Sequence, residues 1–255
     1  MWKDLPTLEE IRGRLAKEIY KKLKYEDNSF IVAITGPTGS GKSQYAMKIA
    51  YQFYRDWDLV LSNIIFTPFE LEERFNELKR KNEKIPILIW DDAGPWMRIM
   101  KNAPWDPLTV SVLGHLETMR LRVGAILMTM TSERSLPRTI KYNGNLYKFR
   151  ARVLRNGSNQ AGKPQALVEI QARREKRNEW GSYYWDTSIL YRDYIILKIP
   201  NYNDYEVLRK LYIKLYSKLV KASREIAPNK LLDYIYEEWK KMKTSLPRRA
   251  FYEKE

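Results

Sequence analysis

The sequence predicts an α/β fold: three layers around a mostly parallel central sheet, with an N-terminal docking helix, a β-hairpin extension and C-terminal helices. Three observations predict it. Short β-rich apolar runs alternate with stretches of helical periodicity from residue 30 to 131, the pattern of a parallel sheet with right-handed crossovers. The glycine-rich stretch GPTGSGKS, residues 36–43, joins the first such run directly to a helix. Beyond residue 143 the period changes to two, which adds antiparallel strands to the sheet or lays them against it.

In chain order, the spacing first predicts a helix over 7–24. Thr7 opens the capping box Thr7-x-x-Glu10, and Leu8, Ile11, Leu15, Ile19 and Leu23 recur at helical spacing. FIVAIT (30–35) reads as a strand buried on both faces. A helix follows at about 42–55, with Tyr45, Ala46, Ile49, Ala50 and Phe53 on one face. LVLSNIIF (59–66) reads as the next strand, and Thr67-Pro68-Phe69-Glu70 carries the start signals of a helix: an N-cap, proline at the first position and a carboxylate three residues on. PILIW (86–90) is the third strand, 109–121 the next helix and VGAILMTMT (123–131) the fourth strand. YKFRARVLR (147–155) and ALVEIQARREKR (166–177) alternate with period two around a turn-like segment, and a Tyr-rich strand follows within 182–200. Helical spacing returns from about 204, and a second helix follows Pro228. The expected organisation is an N-terminal helix (1–28), a core with its antiparallel extension (29–200, the extension from about 145) and a C-terminal helical segment (201–255).

Composition removes several function classes. The chain has 255 residues, enough for one main domain with appendages, no cysteine and a single histidine, His115. That leaves no disulfide or thiolate metal site and little for a zinc site or a histidine-based triad. No apolar run approaches the roughly 18 residues that span a bilayer, and MWKDLPTLEEIRGRL lacks the apolar centre of a signal peptide, so the expected location is the cytoplasm. The 46 Lys and Arg against 31 Asp and Glu give a net charge of +15, which suits a polyanionic partner. Abundant Lys, Arg, Ile and Tyr lean toward a thermophilic source.

The strongest chemical signal is GPTGSGKS itself, a full match to G-x-x-x-x-G-K-[ST] between an apolar β run and a helix. Gly36, Pro37, Thr38, Gly39, Ser40, Gly41, Lys42, Ser43 and Gln44 form the candidate ATP-binding stretch. The glycines let the backbone wrap a phosphate chain, amides inward, at a helix N-terminus that already favours anions. Lys42 reaches the β- and γ-phosphates, and Ser43 is a candidate Mg2+ ligand. ILIWDDAG (87–94) ends an apolar strand in two adjacent carboxylates, Asp91 and Asp92, and the fourth strand ends in Thr129 and Thr131 on one face.

GPTGSGKS, ILIWDDAG and MRLRVGAILMTMTSERSLPRTIKYNGNLYKFR together resemble the additional-strand, catalytic-carboxylate (ASCE) division of P-loop ATPases over about residues 30–155. The resemblance implies that an extra strand lies between the phosphate-loop strand and the Asp91 strand. It further implies that Asp91 holds Mg2+ with Ser43, that Asp92 orients the attacking water, and that Thr131 senses the γ-phosphate. Many members carry glutamate where Asp92 stands, so fast hydrolysis, slow hydrolysis and nucleotide sensing are all open to the shorter side chain. Both threonines are also simply good strand formers. Arg134 and Arg138 are candidates for an arginine presented to a neighbour's γ-phosphate in a homo-oligomer, of which Arg138 is the first choice. WDDAG is similar to the DD-x-G of helicase-loader and IstB-like AAA+ proteins. By contrast, LP-x-x-I-x-x-N followed by a strand ending in Arg is similar to HerA/FtsK-like translocases and packaging ATPases, which usually show Gln at the position of Thr131. The composition resembles that of small ATPases of crenarchaeal viruses and plasmids, which implies a host-cell cytoplasm and a replication or capsid protein as partner.

Lys148, Arg150 and Arg152 alternate with Phe149, Ala151 and Val153, so three cations project from one strand face, and Arg173 and Arg174 stand at the end of the next run. These five are the candidate contacts to a DNA backbone. An ordinary solvated charged face is the competing reading. His115, Trp90, Trp96 and Trp105 read as packing residues first.

Overall fold

The computed structural model describes residues 5–158, 164–177, 183–197, 199–200, 202–222, 225–226 and 228–245. Helix α1 (Arg14–Tyr25) precedes β1 (Phe30–Thr35), α2 (Lys42–Tyr54), α3 (Trp57–Ser62), β2 (Ile64–Ile65) and α4 (Pro68–Arg80). Then come β3 (Ile85–Trp90), α5 (Ala93–Asn102), α6 (Pro107–Glu117), β4 (Val123–Met130) and the short α7 (Arg138–Lys141). Three long strands, β5 (Tyr147–Ser158), β6 (Pro164–Arg177) and β7 (Tyr183–Ile196), lead into α8 (Tyr202–Ala222) and α9 (Pro228–Ser245).

The seven strands form one sheet in the order β2-β3-β4-β1-β5-β6-β7. β2, β3, β4, β1 and β5 run parallel, and β6 and β7 each pair antiparallel to the strand before them. The fold is therefore the expected mixed α/β architecture with helices flanking a mainly parallel sheet. β4 lies between β1 and β3, pairing Thr35 with Met130 on one side and Trp90 with Met128 on the other. This register brings the ends of β1, β3 and β4 to one edge, the carboxyl edge where parallel sheets place their sites. Every residue of β1 and β4 is buried, as continuous apolar runs require.

Four local expectations change. Residues 8–10 form a turn rather than the first turn of the helix. The Thr7–Glu10 pair closes that turn, with the Thr7 amide donating to Glu10 at 2.7 Å, while Gly13, at a φ of 88°, resets the chain so that α1 begins at Arg14. The first half of the predicted strand 59–66 is helix α3, because the Asp56 carboxylate caps the amides of Asp58 and Leu59 at 2.7 and 3.3 Å, and only Ile64–Ile65 remain strand. α5 starts immediately after Asp92, in a stretch where the periodicity predicts no element. α6 begins at Pro107, two residues early, behind an Asp106 cap. The Thr67–Glu70 capping box forms as predicted.

The two C-terminal helices lie beside the start of α4. Phe66 stacks on Tyr212 of α8 at 4.4 Å, and Phe69 meets Trp239 of α9 at 5.3 Å and Trp96 of α5 at 6.0 Å. No helix among the described residues is long and apolar enough to cross a membrane.

Candidate nucleotide-binding site

The glycine-rich loop leaves β1 at Thr35 and must pass beneath β5. A Cβ on Gly36 would run into the carbonyl oxygen of Val153, so only glycine fits there. Gly39 and Gly41 hold left-handed φ values of 76° and 95°. Gly41 is the N-cap of α2 and supplies no side-chain cap, which leaves the first-turn amides of this helix facing outward. Ser40 is buried and its Oγ has no hydrogen-bond partner among the described residues. Lys42 is 8% exposed and donates to the Pro37 carbonyl at 2.8 Å. Burial pulls its pKa below the ordinary lysine value, against the opposing pull of Asp92 and Asp91.

Asp91 follows β3 and is completely buried. One carboxylate oxygen accepts from the Thr129 hydroxyl at 2.6 Å, and the other accepts from the Tyr205 hydroxyl at 2.6 Å. Burial raises its pKa, with the Asp92 charge adding to the rise and hydrogen bonds from Thr129, Tyr205 and Ser43 opposing it. Burial, then the Asp91 charge, holds the Tyr205 hydroxyl far above the phenol range, so it stays a donor. Asp92 caps α5 in a left-handed conformation, φ 49° and ψ 37°, which a non-glycine residue adopts at a cost. Its amide donates to the Thr129 hydroxyl at 2.9 Å, and its carboxylate accepts from Arg209 Nε at 2.9 Å. Thr129 therefore holds both residues of the pair.

The arrangement fits a nucleoside triphosphate with a divalent cation. The left-handed Gly39 and Gly41 shape the loop at the uncapped start of α2, and Lys42 supplies a charge. The Ser43 hydroxyl lies near enough to Asp91 to lower its pKa, and the two offer oxygens of the kind Mg2+ takes. Among the described residues no cluster of three His, Cys, Asp or Glu side chains could hold a metal, so oxygens from phosphate and water would complete the shell.

The other candidates are placed unevenly. Thr131 lies past the end of β4 and is exposed, whereas Thr129, passed over for it, makes the contacts to the carboxylates. Thr131 instead lines a cavity of about 230 Å³ together with Asp92, Arg98, Trp96, Arg209 and Tyr216. Arg134 and Arg138 are exposed beyond β4. On β5, Phe149, Ala151 and Val153 are buried and Arg152 is exposed. Arg150, however, donates to the Thr35 hydroxyl at 3.3 Å and pairs with Glu133 at 3.6 Å, so the stripe of three free cations is reduced. Lys148 is half-buried, and that burial lowers its pKa. The side chains of Arg173 and Arg174 lie outside the described residues. Trp90 and Trp96 are core, His115 packs its ring against Phe75 at 5.0 Å, and Trp105 is 89% exposed.

Sequence reasoning missed the groups that hold the site from a distance: Tyr205 and Arg209, and Asp193 of β7, which caps α1 and accepts from Tyr45 of α2 at 2.9 Å. A faint signal existed for two of them, since Tyr205 and Arg209 stand four apart, next to the apolar stripe of their helix.

The chain matches no protein-family profile. It is 28% identical over 205 residues to the uncharacterized protein B-251 of Sulfolobus spindle-shape virus 1, covering 74% of this chain and 77% of that protein. It is 27% identical over 125 residues to the uncharacterized protein ORF286 of Acidianus two-tailed virus, covering 48% of this chain and 42% of that protein. Among solved structures, the KaiC-like protein PH0186 of Pyrococcus horikoshii OT3 aligns over 62% of this chain and 89% of its own, with 13% identity and a TM-score of 0.29. Both of these sequence relatives are proteins of archaeal viruses.

Proposed function

We propose that the chain is a Mg2+-dependent ATPase of the ASCE division that acts in a DNA transaction. The observation that carries this reading is the meeting of GPTGSGKS and the Asp91–Asp92 pair at one sheet edge, with Ser43 near enough to Asp91 to lower its pKa and β4 between the two strands that deliver them. The loop amides and Lys42 bind and orient the phosphates, Ser43 and Asp91 would hold Mg2+, and Asp92 orients water as general base. When bound, Mg2+ supplies charge neutralisation at the phosphates. Thr129 keeps both carboxylates in position. Arg152, exposed on β5, and Lys148 are assigned to a DNA backbone, in keeping with the net charge of +15. Within this reading, an AAA+-like initiator or loader role for a mobile element, working as a homo-oligomer with Arg138 offered to a neighbour, stands ahead of a packaging or translocase motor. A second reading, a small-molecule kinase, is favoured by the cavity beside Asp92, whose wall carries Arg98 and Arg209.

The test is phosphate release from ATP by wild type and Lys42→Ala, with and without double-stranded DNA, across a salt series. Lys42→Ala is expected to lose about 100-fold or more, the size of effect seen when one transition-state donor is removed. DNA should stimulate wild type, with the stimulation fading as salt rises. No DNA response at any salt sinks the assignment of Lys148 and Arg152, and phosphate transfer to an acceptor other than water favours the kinase.

A further inference from the structure

We propose that helix α8 is an inhibitory latch: in the state described here it holds the nucleotide site shut, and it must withdraw before hydrolysis. The inference rests on the ATPase reading and assigns a regulation to the same site. Three side chains spaced along one face of α8 each take hold of a carboxylate: Tyr205 binds Asp91, Arg209 binds Asp92, and Tyr212 binds Glu70 at the start of α4. Two of those three carboxylates are the ones the reaction needs.

The consequences differ for the two. Asp91 has no exposed surface while Tyr205 covers it, so neither a hydrated cation nor its water shell reaches it in this state. Asp92 spends a carboxylate oxygen on the Arg209 guanidinium at 2.9 Å, so that oxygen is not free to accept from a water. A further contact comes from just ahead of the helix, where Leu197 packs against Gly41 at the mouth of the phosphate loop and would collide with any Cβ there.

The hold is also built to be released. Two adjacent carboxylates repel each other, and the Arg209 guanidinium and the Tyr205 hydroxyl relieve that repulsion. A cation arriving with nucleotide competes for the same oxygens, so its binding and the opening of α8 are linked. Behind the latch, α8 does not pack down fully: the cavity of about 230 Å³ separates Arg209 and Tyr216 from Trp96 and Met130. The Arg209–Asp92 pair is itself partly solvated, with side chains 30% and 41% exposed. Leu215, Leu219 and Ala222 are buried farther along α8, so the part that withdraws is its site end, Tyr202 to Tyr212, where the ion pair and the cavity lie.

The experiment uses the full chain and the variants Arg209→Gln, Tyr205→Phe and both together, with thermal unfolding to verify that each is folded. Turnover of Mg-ATP is measured beside binding of a fluorescent ATP analogue, with Lys42→Ala as control. Arg209→Gln is expected to raise kcat about fivefold, the population shift that follows loss of one partly exposed ion pair, and the double variant to raise it further. Backbone hydrogen exchange within α8 should rise when Mg-ATP is added to wild type. A kcat that falls in Arg209→Gln would make the arginine a participant in the reaction and overturn the latch. Unchanged kcat, or α8 exchange indifferent to Mg-ATP, overturns it as well. If analogue binding needs Lys42 but no variant turns over, the latch fails and the nucleotide site stands. If nothing binds the analogue, the ATPase reading falls and the latch with it.

Discussion

The two halves of the sheet bury their residues in opposite ways. In β1 and β4 every side chain is enclosed, while in β5 buried Phe149, Ala151 and Val153 alternate with partly or fully exposed cations, and in β6 buried Ala166, Val168, Ile170 and Ala172 alternate with half-buried residues. The first half sits between two layers of helices and the second presents a face to water. Their contributions to the site divide along the same line. The parallel half delivers the loop and the two carboxylates. The antiparallel strands and the helix after them deliver what restrains them, Asp193 against Tyr45 and Tyr205 and Arg209 on the acidic pair, and β5, the strand that joins the two halves, sets the Val153 carbonyl over Gly36. Chemistry and restraint come from different halves of one sheet.

The largest effect expected from breaking this division is that of Asp193→Ala. The Asp193 carboxylate accepts from the amides of Arg14 and Leu15 at 3.1 and 3.4 Å and from the buried Tyr45 hydroxyl. Its loss removes a helix cap and strands a buried donor, for a cost of about 2–4 kcal/mol in denaturant unfolding. Hydrogen exchange should rise in α1 and leave β1, β3 and β4 protected. A loss under about 0.5 kcal/mol would mean that the antiparallel half does not anchor the first helix.

Gly124→Ala tests the other half, and its effect should be somewhat smaller. A Cβ there would sit 2.6 Å from the Pro86 carbonyl oxygen and 2.8 Å from a Leu23 methyl, between β3 and α1. Overpacking of this kind costs about 1–3 kcal/mol. A stability equal to wild type would show that the two-sided burial of β4 has slack.

The smallest effect is that of His115, the only imidazole in the chain. Burial against Phe75 outweighs the pull of Glu72 and lowers its pKa below the ordinary 6.5, so its NMR titration should have a midpoint under that value. Because the folded value is depressed, the unfolded chain binds the proton first. The associated stability is complete above pH 6.5 and is lost as pH falls from there through the folded midpoint. A midpoint at or above 6.5 would place the ring in water.

What could be read from the sequence follows from the same division. FIVAIT, PILIW and VGAILMTMT are unbroken apolar runs, and GPTGSGKS and Thr67-Pro68-Phe69-Glu70 are signals whose partners lie within a few residues. The β5 and β6 strands were also legible, from strict alternation. Illegible were features decided by distant partners or by a single local competitor. LVLS has strand composition, yet the Asp56 cap turns it into helix. Gly94-Pro95 looks like a turn, yet proline sits comfortably in the first turn of a helix begun by a left-handed Asp92. Thr131 looked nearer the strand tip than Thr129, but β4 ends at Met130 and it is Thr129 that hydrogen-bonds both residues of the pair. Asp193, Tyr205 and Arg209 carry no local spacing toward residues 14, 91 and 92, because a contact across more than a hundred residues leaves no periodic mark.

The bond from the Asp193 carboxylate to the first amides of α1 spans 179 positions of chain, and that length sets an order in time. A ribosome delivers α1, the phosphate loop and both carboxylates well before the residues that fasten them. The first helix therefore waits, undocked at its N-terminus, through most of synthesis, and closure of this long loop makes its seating a late, slow event. Tyr205 and Arg209 emerge later still. A growing chain therefore passes through an interval in which the phosphate-loop sequence and both carboxylates have been made and the residues of α8 that cover them have not.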